Sequence, residues 1–308
     1  MDTIADVNPG TDSTLALLLE AQSRGWRLLY GEIQDIWLRD GEAFGRLTRL
    51  RVADDPSSWF TFGDASVVPL GDVDAILMRK DPPFDAQYVL ATYVLERAED
   101  AGALVVNRPQ GLRDVNEKAF VAWFPDCAPP TIIGRALHEM NAFVEQHGRV
   151  VVKPLDLMAG RSVFVTDRDD GNRNVILDAV TDGGTRFAEV QKYVPDIREH
   201  GDKRIFLIDG VPITLALARI PPAGDHRGNL STGARGEVRP LTARDEFICA
   251  RVGPVLRERG LLLAGIDVIG DFLTEINVTS PTGVRELERD GGVAIATSLL
   301  SVIEGRLG

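Results

Sequence analysis

A chain of 308 residues with 44% hydrophobic and 26% charged content can bury a large core, and its length alone suggests about two domains. A net charge of −12 provides no basic footprint, so neither nucleic acid nor an anionic membrane is expected as a partner. No apolar run approaches the roughly 20 residues of a membrane span, and an N-terminus carrying Asp2 and Asp6 is unlike a signal peptide.

Residues 13–24 place Leu15, Leu18, Leu19 and Ala21 at helical spacing, with Asp12 or Ser13 as N-cap and Gly25 closing the helix. A strand over 26–33 follows. Residues 73–78 read as a strand that ends in Arg79-Lys80-Asp81-Pro82-Pro83, where the double proline stops regular structure. Two cations at the carboxyl end of a strand suit an anionic substrate, although a solvated turn explains them equally. A helix over 88–101 and a strand over 103–107 complete an alternation that implies a mainly parallel sheet. Asp114 reads as the N-cap of another helix, with Glu117 three residues on as its capping box. Strands at 149–154 and 163–165 flank a small-residue loop, unlike a Walker P-loop, where a helix follows. Residues 189–194 form a connector, and Asp202-Lys203-Arg204 leads the strand 205–208. Residues 220–240, rich in glycine, proline and arginine, form the longest irregular stretch and suit a lid. A helix over 242–260 then delivers the chain to its most informative segment.

Gly265 to Pro281 reads as two β-branched runs joined at Gly270-Asp271, a hairpin signal. A three-residue loop over 270–272 would pair Asp267 with Glu275 and put Asp267, Glu275 and Asn277 on one face. Three hard oxygen donors side by side suit Mg²⁺ held between protein and phosphate. A two-residue turn would pair Asp267 with Thr274 and split the acids, leaving a hairpin with polar residues facing water. Elsewhere, Cys127 and Cys249 read as buried free thiols in a reducing, cytoplasmic protein, and the four histidines have no zinc-ligand spacing. Only five of the 34 basic residues are lysine (Lys80, Lys118, Lys153, Lys192 and Lys203). Either this skew is mutational drift, or lysine is kept where a compact ammonium meets phosphate.

Several runs together carry a resemblance. They are Ile76-Leu77-Met78-Arg79-Lys80-Asp81-Pro82-Pro83-Phe84-Asp85, Asn116-Glu117-Lys118, Asp202-Lys203-Arg204, Ala218-Arg219-Ile220-Pro221, Arg227-Gly228-Asn229-Leu230 and Leu273-Thr274-Glu275-Ile276-Asn277-Val278-Thr279-Ser280-Pro281. In this order the chain resembles the bacterial glutathione synthetases of the ATP-grasp superfamily along nearly its whole length. The resemblance implies an α/β fold of the ATP-grasp type. Its N-terminal, mainly parallel, peptide-binding α/β domain would span residues 1–112. A small subdomain with the phosphate loop would follow at 113–194, and a C-terminal subdomain with metal site and flexible loop at 195–308.

It also implies an ATP-dependent ligase that joins γ-glutamylcysteine to glycine through an acyl phosphate. The cofactors would be ATP and Mg²⁺, with Mn²⁺ as a substitute, and the assembly a homo-oligomer, a tetramer in the family pattern. Lys118 and Lys153 would hold phosphates, Gln191, Lys192, Tyr193 and Val194 would receive adenine, and Asp202 the ribose. Asp267, Glu275 and Asn277 would bind metal, with Asn277 also at the nucleotide. Arg204 and Arg219 would face the transferred phosphate and the substrate carboxylate, and Arg227 and Arg235 would lie on the lid. Ser13 and Lys80 are further candidates for the glutamyl end. Two departures stand out. Leu157 and Ala159 occupy a phosphate loop that is glycine-rich in the family, and the family's first strand is absent, which would leave a sheet edge open. The alternatives are a ligase for another peptide and amine, or a nucleotide-binding relative with reduced or lost activity.

Overall fold

The computed structural model describes residues 1–308 except 159, 223–227, 229, 231 and 232. Helix α1 (Ser13–Ser23) begins where Asp12 accepts the Leu15 N–H at 2.6 Å, and the chain turns beyond it at Gly25, φ +83°. An antiparallel sheet follows: β1 (Leu28–Tyr30), β2 (Ile36–Arg39), β3 (Glu42–Val52) and β4 (Phe60–Pro69), with β3 pairing all three others. Next come β5 (Ala75–Leu77), α2 (Ala86–Asp100), β6 (Leu104–Val106) and α3 (Pro109–Asp114). Strands β5 and β6 pair in parallel as a separate two-stranded sheet. The mainly parallel N-terminal sheet expected from β-α-β alternation is thus corrected to one parallel pair beside a four-stranded antiparallel sheet. Among the described residues β1 pairs only with β3, and β5 only with β6. An apolar cavity of about 190 Å³ is lined by both strands, with Leu17, Met78 and Leu300 completing its wall.

The second sheet comes from β7 (Thr131–Gly134), α4 (Leu137–His147), β8 (Val150–Pro154), β9 (Phe164–Thr166), α5 (Arg173–Thr181) and β10 (Ala188–Lys192), in strand order β7-β10-β8-β9. It has its own core of Met140, Val144, Val150, Val152, Leu177 and Val190. The expected connector at 189–194 begins as β10, an inner strand of this sheet.

The third sheet follows α6 (Ile197–His200). It contains β11 (Asp202–Ile208), β12 (Val211–Pro212), β13 (Leu215–Ile220), β14 (Arg235–Pro240), β15 (Leu263–Ile269) and β16 (Phe272–Asn277). Helix α7 (Ala243–Glu258) precedes β15, and α8 (Val284–Gly291) and α9 (Ile295–Leu307) follow β16. Both faces of this sheet are covered. Ile205 and Leu207 of β11 enter a core with Tyr88, Leu112 and Ile248, while Phe206 and Ile208 enter another with Leu15, Leu287 and Leu299. Burial on both sides explains the unbroken run Ile205-Phe206-Leu207-Ile208, because successive side chains of a strand point to opposite faces.

Two local expectations are corrected. Asp114 is the last residue of α3 and caps no helix; Asn116 Oδ1 instead accepts from the Lys118 and Ala119 N–H groups at 3.2 and 2.9 Å, opening the short 3₁₀ turn Ala119–Trp123. The hairpin has a two-residue turn, with Ile269 opposite Phe272, yet Asp267 still faces Glu275 because the register shifts by one between Asp267 and Val268. A β-bulge thus restores the pairing that the short turn would have destroyed.

Candidate active site

The site is assembled by strand register. Lys153 on β8 is the cross-strand partner of Glu189 on β10, and on the third sheet Asp202 faces Arg219 while Arg204 faces Asp267. Side chains directly opposite on one face meet, so each pairing becomes an ion pair. Lys153 Nζ lies 3.3 Å from Glu189 and donates to Gln191 Oε1 at 3.0 Å. Arg219 donates to Asp202 at 2.6 Å and lies 2.9 Å from Asp267, while Arg204 grips both oxygens of Asp267 at 2.6 and 2.9 Å. Lys118 Nζ reaches Glu275 at 3.0 Å and the Leu157 carbonyl at 2.6 Å, linking the 3₁₀ turn to the hairpin and to the loop after β8.

All of these but Glu189 face one cavity of about 570 Å³. Lys118, Lys153, Gln191, Lys192, Tyr193, Val194, Asp202, Arg204, Arg219, Asp267, Glu275 and Asn277 all line it. Arg235 does not: it lies at the start of β14, exposed, paired with Glu237 at 2.6 Å. The irregular stretch therefore ends at Arg235, since β14 pairs Arg235 with Ile220 of β13. Arg227 and Ala159 fall outside the described residues. Gly228 of the same stretch is buried against Asp202, where an added Cβ would lie 2.7 Å from the carboxylate. Ser13 is buried and accepts the Val284 N–H at 3.2 Å, and Lys80 pairs with Asp2 at 2.5 Å; neither lines the cavity.

The electrostatics follow from burial. Burial alone would raise the Asp267 carboxyl, but Arg204 and Arg219 outweigh it and hold the group well below the ordinary carboxylate range. Glu189 lacks two arginines and is pushed up by burial despite Lys153 and Lys118. The hairpin donors fit a hard divalent cation. Asp267 and Glu275 oppose one another, and Asn277 turns its amide nitrogen to Gly265 O and Asp267 at 3.1 and 3.2 Å, leaving an amide oxygen as a third donor. Among the described residues no group of three His, Cys, Asp or Glu is placed to hold a metal ion, and the third donor of the hairpin is an amide.

Glu117, Asp12, Asp81 and Glu286 also line the cavity, and Glu189 sits behind it under Lys153; none was singled out from the sequence as a site residue. Glu117 lies within the Asn116-Glu117-Lys118 run and Glu189 begins the segment 189–194, so proximity to those runs is the available signal.

A nucleotide-sized cleft between two antiparallel sheets, walled by lysines from separate segments and a carboxylate hairpin, defines a ligase of the ATP-grasp class. Solved structures agree on the fold. The ATP-grasp ligase PsnB, complexed with a phosphomimetic variant of its minimal precursor, Mg and ADP, has a TM-score of 0.63 at 17% identity, covering 96% of each chain. The D-cycloserine synthetase DcsG has a TM-score of 0.60 at 18% identity, covering 78% of this chain and 86% of its own. Within the class, residues 1–113 match the prokaryotic glutathione synthetase N-terminal domain and 117–292 the prokaryotic glutathione synthetase ATP-grasp domain. The glutathione synthetases of Escherichia coli (strain K12) and Pseudomonas putida are 50% and 51% identical, spanning 100% of this chain and 97% and 96% of theirs. The chain belongs to the prokaryotic glutathione synthetase family.

Proposed function

We propose that the protein is an ATP-dependent ligase that joins γ-glutamylcysteine to glycine, giving glutathione, ADP and phosphate. The observation that carries the reading is convergence. Residues from four separate segments, Lys118, Lys153, Asp202 to Arg219 and Asp267 to Asn277, meet in one cavity, in a chain about half identical to curated glutathione synthetases end to end.

A carboxylate is inert to an amine until one oxygen becomes a leaving group. In the proposed reaction the cysteinyl carboxylate attacks the terminal phosphorus of ATP, ADP departs, and the glycine amine displaces phosphate from the acyl phosphate. One carboxylate oxygen leaves in that phosphate. Catalysis then depends on positioning and charge neutralisation more than on a nucleophilic side chain. We assign Lys118 and Lys153 to the phosphates, the segment 191–194 to adenine and Asp202 to the ribose. Arg204 and Arg219 are assigned to the transferring phosphoryl group and the substrate carboxylate. Arg227 and Arg235, the latter from the start of β14, are assigned to a cover over the site that would keep water from a hydrolysable intermediate. Asp267, Glu275 and Asn277 would hold Mg²⁺, or Mn²⁺ in its place, supplying positive charge to the phosphate oxygens.

Lys118 neutralises Glu275, and Arg204 and Arg219 neutralise Asp267. Polyphosphate is thus expected to draw Lys118 away from Glu275 as it enters. We also propose the three-part division at residues 112 and 194, a homotetramer, and a cytoplasmic location. In support of the last, both cysteines are free and buried. The intermediate is tested by labelling the cysteinyl carboxylate of γ-glutamylcysteine with ¹⁸O. Transfer of one labelled oxygen into phosphate per glutathione supports the reading; unlabelled phosphate alongside product would overturn it.

A further inference from the structure

Glu117 is not among the residues assigned above, and its contacts are unusual in number and direction. Its Oε1 accepts from the Val278 N–H at 2.8 Å, the Thr279 N–H at 3.0 Å and the Thr279 hydroxyl at 2.8 Å. Its main-chain carbonyl accepts the Ile276 N–H at 2.8 Å. Asn277 therefore sits between two amides, those of Ile276 and Val278, both held by the same residue. Burial and the neighbouring Glu275 push the Glu117 carboxyl upward, while the Thr279 donors oppose the shift. The next residue is Lys118, whose ammonium bridges Glu275 and the Leu157 carbonyl.

We propose that Glu117 is a positioning residue that sets Glu275 and Asn277 in register with Lys118, so that the metal-binding edge and the phosphate-binding ammonium are built on one rigid joint. The structural basis is the distance in sequence: 161 residues separate Glu117 from Val278, and this carboxylate clamps the exit of β16 to the turn that carries Lys118. The proposal rests on the functional reading above, but its core, the clamp, is measurable without activity.

The test compares the parent with Glu117→Ala, Glu117→Gln and Thr279→Val. In the metal-free, nucleotide-free protein, amide hydrogen exchange is read at Ile276, Val278 and Thr279. With Mg-ATP, γ-glutamylcysteine and glycine, half-saturating Mg²⁺ is read separately from KM for the peptide. Glu117→Ala is expected to speed exchange at Val278 and Thr279 and to raise half-saturating Mg²⁺ by about tenfold or more, the range that partners of metal ligands carry. KM for the peptide should stay within about twofold, since the clamp acts on the metal edge. Glu117→Gln keeps an acceptor oxygen and should recover most of the exchange protection. Thr279→Val removes only the hydroxyl donor and should produce a smaller shift in the same direction, which keeps the test decisive if Glu117→Ala does not fold. Unchanged exchange at Val278 and Thr279, or unchanged half-saturating Mg²⁺ in the Ala and Val variants, would overturn the proposal. If the parent itself forms no glutathione, the functional reading fails while the exchange arm still decides the clamp.

Discussion

Replacing Asp267 by asparagine isolates the charge at the centre of the site with little change of shape. The side chain is 5% exposed and accepts from Arg204 at 2.6 and 2.9 Å and from Asn277 at 3.2 Å, with Arg219 at 2.9 Å. Arg219 would keep Asp202 at 2.6 Å, but Arg204 would keep only the Thr282 carbonyl at 3.1 Å among its described contacts. Leaving a buried cation without its counter-charge costs about 3–5 kcal/mol. The amide oxygen still accepts one bond, so about 3 kcal/mol is expected, or a Tm lowered by about 6 °C at roughly 2 °C per kcal/mol for a chain of this size. Asp202→Asn should cost less, because Arg219 keeps Asp267. The sign with pH follows from the depressed Asp267 carboxyl: its stabilisation is fully present above the unfolded value, near pH 4, and is lost as pH falls through the lower folded value. The difference between parent and Asp267→Asn should therefore be constant from about pH 5 to 8 and shrink in stronger acid. Differential scanning fluorimetry of the ligand-free protein across pH reads both. A Tm change under about 1 °C would refute the buried-network account.

Three further outcomes are expected. Lys118→Ala and Lys153→Ala should each raise KM for ATP at least about tenfold, the loss of one charge-assisted phosphate contact, with KM for glycine little changed in steady-state assays. Gly228→Ala would press a Cβ against the Asp202 carboxylate, and moving that group off Arg219 should cost about 1–3 kcal/mol, read as a lower Tm. Glu189 is fully buried with its carboxyl pushed up, so ionisation disfavours the fold as pH rises through the folded value. Glu189→Gln should accordingly gain Tm relative to the parent at about pH 8 compared with about pH 5, and a gain independent of pH would contradict the assignment of burial as the cause.

The C-terminal site was legible because its signals are local and period-two. Ile266, Val268, Ile276 and Val278 are fully buried, and Asp267 and Glu275 share the other face, as alternation implies. The bulge that preserves that pairing was not legible, since turn length and register shift trade against each other and only tertiary packing chooses. Glu117 shows a different limit. Its spacing from Asp114 satisfies the capping-box pattern, but a helix start needs the chain to continue as a helix, and here the carboxylate finds better donors in Val278 and Thr279. In the N-terminal region the strands β2 to β4 carried no reading. Seven of the ten residues of β3 after Glu42 are buried or half-buried, interrupted by Arg46, Arg49 and Arg51, and β4 is mostly exposed, so no single face stands out. Likewise Arg235 sits in a glycine-bounded run that lacks strand alternation, and pairing with Ile220 recruits it into β14.

The central claim is tested most directly by incubating the protein with Mg-ATP, γ-glutamylcysteine and glycine, omitting each in turn, while following ADP release and identifying the product by mass spectrometry. The account predicts glutathione and stoichiometric ADP in the complete mixture alone. ADP release that needs neither peptide nor glycine, or a complete mixture without glutathione, would contradict it.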